Sequence, residues 1–114
     1  MLFRSGGSFV FSAEHPIYTA PSAPGWSTDA GGRKTWPVDR YLDESARSTD
    51  WLTRGVIKQH RTIAGYVNLL LRQGFTLTQL EEWGPTEVQI AAHPEWASER
   101  ERPPFLLEIG RAHV

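Results

Sequence analysis

Hydrophobic residues are spaced differently in successive stretches of the chain, and each spacing predicts an element. Ser8-Phe9-Val10-Phe11-Ser12-Ala13 is short, rich in β-forming residues and bounded by Gly6-Gly7 and Pro16, so residues 8–13 read as a strand of a buried sheet. Val56, His60, Ile63, Val67, Leu70 and Leu71 recur at intervals of three and four, which predicts a helix over 56–73 stopped by Gly74. Phe75-Thr76-Leu77-Thr78 alternates, and Leu80 and Trp83 continue the pattern out of step, so 75–83 is expected to be a strand with a bulge. Thr86 and Gln89 have capping-box spacing, which opens short helices over 86–102, broken at His93-Pro94. Pro103-Pro104 resets the chain before a last strand over 105–110, Phe105-Leu106-Leu107-Glu108-Ile109-Gly110.

Residues 16–55 have no such rhythm. Pro16, Pro21, Pro24, Gly25, Gly31, Gly32 and Pro37 interrupt them, leaving room only for a short helix between Val38 and Thr53. Yet the stretch holds Tyr18, Trp26, Trp36, Tyr41 and Trp51. A long aperiodic segment with many large aromatic side chains is expected to be an ordered lid, because disordered segments lack such residues.

The order is strand, lid, helix, strand, short helices, strand, which is an α/β or α+β pattern. Three strands and one long helix cannot cover both faces of a sheet whose strands are nearly continuous in apolar character. Strand 8–13 is expected to lie inside a sheet, yet the chain offers nothing to flank it.

Composition narrows the function classes. The chain has 114 residues and a formal net charge of −1 from 12 basic and 13 acidic residues, enough for one small domain. That mixed balance argues against a nucleic-acid footprint and against a polybasic membrane anchor. The absence of cysteine excludes disulfides, a thiolate nucleophile and cysteine-held metals. No apolar run approaches a membrane span of ~20 residues, and the first residues lack a signal-peptide pattern, so a soluble cytoplasmic protein is expected. His15, His60, His93 and His113 lack paired metal-ligand spacing. Glu81 and Glu82 fall on opposite faces of a strand, and Ser12 has no nucleophile-elbow context.

Several pieces together resemble a known family. Gly6-Gly7-Ser8-Phe9-Val10-Phe11-Ser12 followed by Glu14-His15-Pro16-Ile17 resembles the fifth strand and following loop of class I S-adenosylmethionine-dependent methyltransferases. Trp36-Pro37-Val38-Asp39-Arg40-Tyr41, Gly55-Val56, His60-Arg61-Thr62 and the ending Arg102-Pro103-Pro104-Phe105-Leu106-Leu107 resemble their small-molecule subgroup of the ubiquinone and menaquinone biosynthetic type. The resemblance implies a partial Rossmann-like sheet made of the family's strands five, six and seven, the last antiparallel to the others. Strand four of the family would fill the vacant flank of strand 8–13. It further implies S-adenosylmethionine as cofactor and a small-molecule methyl acceptor. The family's glycine-rich cofactor turn, with its acidic partner, has no counterpart in residues 1–114. The chain therefore reads as the C-terminal, substrate-side half of such an enzyme, with no cofactor-binding residue of its own and inactive by itself. Its partners would be an N-terminal half or a second copy at the open sheet edge. The alternative is a non-enzymatic small-molecule-binding or dimerisation module.

Methyl transfer is an in-line displacement that needs a positioned acceptor and, for some acceptors, a base. His15, just past strand 8–13, and His60 are the candidate bases, the bland alternatives being a bond to the Pro16 turn and packing in the core. Tyr18, Trp26, Trp36, Tyr41 and Trp51 are candidate walls of the substrate pocket. Arg61, with Arg40, Arg47 and Lys58, is a candidate for an acidic substrate group, although solvated charge is the commoner role for such residues.

Overall fold

Residues Ser8–Glu14 form β1, Phe75–Trp83 form β6 and Phe105–Ala112 form β7, and these three strands make the main sheet of the computed structural model, which describes residues 7–49 and 54–112. The order is β1-β7-β6, and β7 runs antiparallel to both neighbours. Among the described residues β1 pairs only with β7, so its other edge is open. The register of β6 shifts between Leu77 and Gln79, where the apolar alternation falls out of step.

Helix α2, Ile63–Arg72, lies against β6 on one face of the sheet. The Tyr66 ring meets Phe11 at 5.7 Å, and Glu108 opposite Phe11 is completely buried. Phe9 sits over Gly110 and makes an edge contact with Phe75 at 4.6 Å between ring centres. A side chain at position 110 would fall 2.4 Å from the Phe9 ring and 2.7 Å from the Thr76 carbonyl, so only glycine fits there. The other face is less covered: Val10 is 67% exposed and Phe105 51%.

Two expectations change here. The helix predicted over 56–73 begins only at Ile63: Val56–Gln59 form strand β5, paired antiparallel with β4, Ala46–Thr49. Val56 and His60 fall at helical spacing from Ile63 by coincidence, and β-branched Val56-Ile57 alternate in burial as a strand does. The real start is marked by Thr62, whose hydroxyl accepts the Gly65 N–H at 2.8 Å. The helix considered between Val38 and Thr53 is replaced over Ala46–Thr49 by β4, and residues 50–53 lie outside the described part.

The segment expected to be a lid is ordered by short elements. Pro16–Thr19 form α1, and Ser27–Thr28 (β2) pairs with Lys34–Thr35 (β3). Arg47, 3% exposed, binds the carbonyls of Ala20, Arg40, Asp43 and Ser45, stitching the loop from within. Glu44 accepts the Thr62 N–H at 2.9 Å, putting a carboxylate at the positive end of α2. Beyond β6, Glu87–Ala92 form α3 with the Thr86–Gln89 capping box, and Pro94–Arg100 form a 3-10 helix leading to Arg102. No helix among the described residues is long and apolar enough to cross a membrane.

Candidate functional site

β1 ends at Glu14, and the chain turns at once into α1. The turn is built by His15: its Nδ1 accepts the Ile17 N–H at 3.0 Å, which leaves the proton on Nε2 to be donated to the Glu82 carboxylate. Pro16 at the first helical position completes the cap. The second histidine holds the same helix from the other side. His60 is fully buried, and its Nε2 lies 2.7 Å from the Tyr41 carbonyl, so Nε2 carries the proton. Its Nδ1 then accepts from the Thr19 hydroxyl at 2.7 Å. Both nitrogens of both histidines are engaged within the protein, and neither residue lines the cleft described next.

Helix α1 presents Tyr18 to that cleft, a hollow of about 670 Å³ just beyond the carboxyl end of β1. Tyr18 and Trp36 form part of one wall, 5.5 Å apart, and Trp26 meets Trp36 edge-on at 5.5 Å. The Trp36 indole N–H is fixed on the Ile17 carbonyl at 2.7 Å. Arg102 fills the space among the three rings: its guanidinium carbon lies 4.4 Å from the centres of Tyr18 and Trp36 and 5.0 Å from that of Trp26. Such cation–aromatic contacts gain strength when desolvated, and Arg102 is only 5% exposed. Glu99 accepts from one terminal nitrogen, whereas the buried Nε has no hydrogen-bond partner. Lys58, from β5, also lines the cleft. Its Nζ binds Glu14 at 2.8 Å and lies 5.1 Å from the Tyr18 ring centre.

A second hollow of about 560 Å³ adjoins the first, sharing Tyr18 and Arg102 and adding Trp83, Trp96 and the carboxylates Glu14 and Glu99. The two ion pairs therefore have a direction. Their carboxylates belong to the second hollow, and their cations reach the first, which no acidic residue among those described lines.

The sequence candidates separate on this geometry. Tyr18 and Trp36 line the cleft and Trp26 supports it. Tyr41 is placed elsewhere: its ring packs on His60 at 5.6 Å and its hydroxyl accepts the Ile63 N–H. Trp51 lies outside the described residues. Arg61 is exposed and away from the cleft, Arg40 binds Asp43, and Arg47 is committed to backbone carbonyls. The Arg40 guanidinium, with Ser45, holds the Asp43 carboxyl down at about 2. Arg102 and Glu99, which the sequence did not single out as site residues, are central to the site. The available signal was the position of Arg102 beside Pro103-Pro104, where a diproline fixes the backbone. Among the described residues no cluster of three metal-ligating side chains converges.

No family model matches the chain. Solved structures do. The chain superposes on an S-adenosylmethionine dependent methyltransferase from Mesorhizobium loti with a TM-score of 0.88 and 57% identity, over 94% of this chain and 49% of that one. A candidate S-adenosylmethionine dependent methyltransferase from Listeria monocytogenes gives a TM-score of 0.85 and 40% identity, over 97% of this chain and 50% of that one. An uncharacterized protein of Haemophilus influenzae is 31% identical over 109 residues, 90% of this chain and 41% of that protein. The chain thus spans about half the length of the solved relatives it matches, and less of the Haemophilus one. It resembles S-adenosylmethionine-dependent methyltransferases in sequence and in its α/β fold.

Proposed function

We propose that this chain is the acceptor-binding half of an S-adenosylmethionine-dependent methyltransferase acting on a small molecule. One observation carries the reading: at 57% identity the Mesorhizobium loti methyltransferase matches nearly the whole of this chain with about half of its own. Three antiparallel-connected strands, the order β1-β7-β6 and the open edge of β1 suit strands five, seven and six of a Rossmann-like sheet, with the cofactor half flanking β1. The likeness to the ubiquinone and menaquinone biosynthetic subgroup, carried by Trp36–Tyr41 and Arg102–Leu107, belongs to the same proposal, as does a cytoplasmic location.

The residues present do not fit the cofactor. Among those described, Gly31 and Gly32 lie in the exposed turn between β2 and β3, not between a strand and a helix. No residue here is therefore assigned to S-adenosylmethionine. This chain's own contribution is to bind the acceptor between aromatic rings, orient it and exclude water, which accelerates a displacement by positioning. In this reading His15 and His60 act by fixing α1, and through it Tyr18.

Two measurements test the reading. Calorimetric titration of the chain alone with S-adenosylmethionine is expected to show no micromolar binding. Mixing it with the separately expressed amino-terminal half of the Mesorhizobium loti relative is expected to give methyl transfer from labelled cofactor into small-molecule extracts. Tight cofactor binding by the chain alone would refute the division of labour, and no transfer with the added half would refute the enzymatic reading. The second reading, a non-enzymatic module that dimerises, is favoured by the same open edge beside exposed Val10. A stable dimer that the added half does not displace would select it.

A further inference from the structure

We propose that the 670 Å³ cleft recognises a monoanionic, planar small molecule, its carboxylate held by Lys58 and Arg102 and its ring by Tyr18 and Trp36. This rests on the reading of the chain as the acceptor side of a methyltransferase and supplies the acceptor's chemical class.

The argument begins with charge. Among the described residues lining this cleft, Lys58 and Arg102 are the charged ones, and both are cations. Each is tied from behind: Lys58 to Glu14 at 2.8 Å and Arg102 to Glu99. Both carboxylates line the neighbouring hollow, so each pair presents its positive end to this one. Asp39, joined to the lining residue Ser22, accepts the Ser22 N–H at 2.8 Å and hydroxyl at 2.5 Å. Each cation already has a carboxylate partner, so the positive ends facing the cleft suit one negative charge better than a dianionic phosphate.

Hydrogen bonding points the same way. Arg102 is almost wholly buried, yet its Nε has no partner. A guanidinium has five N–H donors in a rigid fork that matches a carboxylate, and a buried donor left unmade is costly. The three rings around the guanidinium restrict its movement. A carboxylate at its edge would meet aromatic surface on Tyr18 and Trp36, where an attached ring can stack. Ser48 lines the same cleft, and its hydroxyl can receive a polar substituent. Its volume is that of a site for a small molecule of two or three rings.

The test compares 2-naphthoate with uncharged 2-naphthamide as probes of the chain, by calorimetry and by the tryptophan indole signals in NMR. Naphthoate is expected to bind at least about tenfold more tightly than the amide. Lys58→Met is expected to remove most of that preference. Arg102→Lys, which keeps the charge and loses the fork, is expected to weaken naphthoate several-fold. Equal affinity for the two probes, no binding of either, or a preference untouched in both variants would overturn the proposal. The wild-type comparison needs no variant, so a misfolded substitution cannot hide the answer. Naphthoate preference without methyl transfer on adding the cofactor half keeps the anion site and removes the enzymatic reading. Transfer to acceptors with no anion preference does the reverse.

Discussion

One histidine and one glutamate show how burial decides what a polar side chain does. His60 is enclosed, with Tyr41 and Thr19 satisfying its two nitrogens. Truncating it strands both partners and leaves a cavity, so His60→Ala is expected to cost about 2–4 kcal/mol of stability in thermal denaturation. Because His60 holds α1 rather than touching the cleft, the same variant should weaken probe binding without introducing a new pH dependence. Glu108 is the opposite case. It is fully buried under α2, neither carboxylate oxygen has a partner, and burial pushes its pKa above the ordinary value of 4.5. Between the unfolded and the raised folded value, the folded protein keeps a proton that the unfolded chain releases. Stability therefore falls as pH rises through that window, and the loss persists above it. Glu108→Gln is expected to raise the melting temperature at neutral pH, with the gain vanishing as pH drops below 4.5. A constant difference across pH would show that the charge is not the cause.

Elements here are set by single positions that local pattern reveals unevenly. The bulged strand over 75–83 and the Thr86–Gln89 capping box were legible, because alternation and cap spacing are local properties. The start of α2 was not, since Val56 and His60 mimic helical spacing while β5 is fixed by pairing with β4, a contact no periodicity reports. Thr62 was the overlooked signal, and Thr62→Ala is expected to cost about 1 kcal/mol by loss of the cap. Gly110 is more exacting. Gly110→Ala drives a methyl group into the Phe9 ring and the Thr76 carbonyl, and β7 is the central strand. A loss of about 1–3 kcal/mol is expected in denaturant unfolding, and Phe9→Ala in the same background should recover part of it by making room.

The whole molecule is too extended for its length. Its radius of gyration is 16.7 Å, against about 13 Å for a compact domain of this size. Among the described residues the fully buried apolar side chains are correspondingly few, with Leu106 the largest. A sheet of three strands whose outer edges, on β1 and β6, are unpaired among the described residues, and whose one face is poorly covered, has half of a core. Hydrogen exchange should show the β1 amides that point away from β7 exchanging fast in the chain alone and becoming protected when the cofactor half is added. Protection already present in the chain alone, at concentrations where it is monomeric, would contradict an open edge.

The division between sequence and structure follows from the range of the forces involved. Strand and cap positions, the irregular aromatic segment, the need for something beside β1 and the methyltransferase resemblance were all readable from residue types and short spacings. The partners of the aromatic rings were not. Tyr18, Trp26 and Trp36 looked like equals of Tyr41 and Trp51, but only tertiary packing sent Tyr41 to His60 and gathered the first three around Arg102. Arg102 is some sixty or more residues from each of those rings in the chain, and a cation chooses its aromatic and carboxylate partners by distance in space. The sequence determined that an ordered aromatic segment exists beside a half-built sheet. The fold alone decided that the segment surrounds a buried arginine beside a cleft that Lys58 also lines.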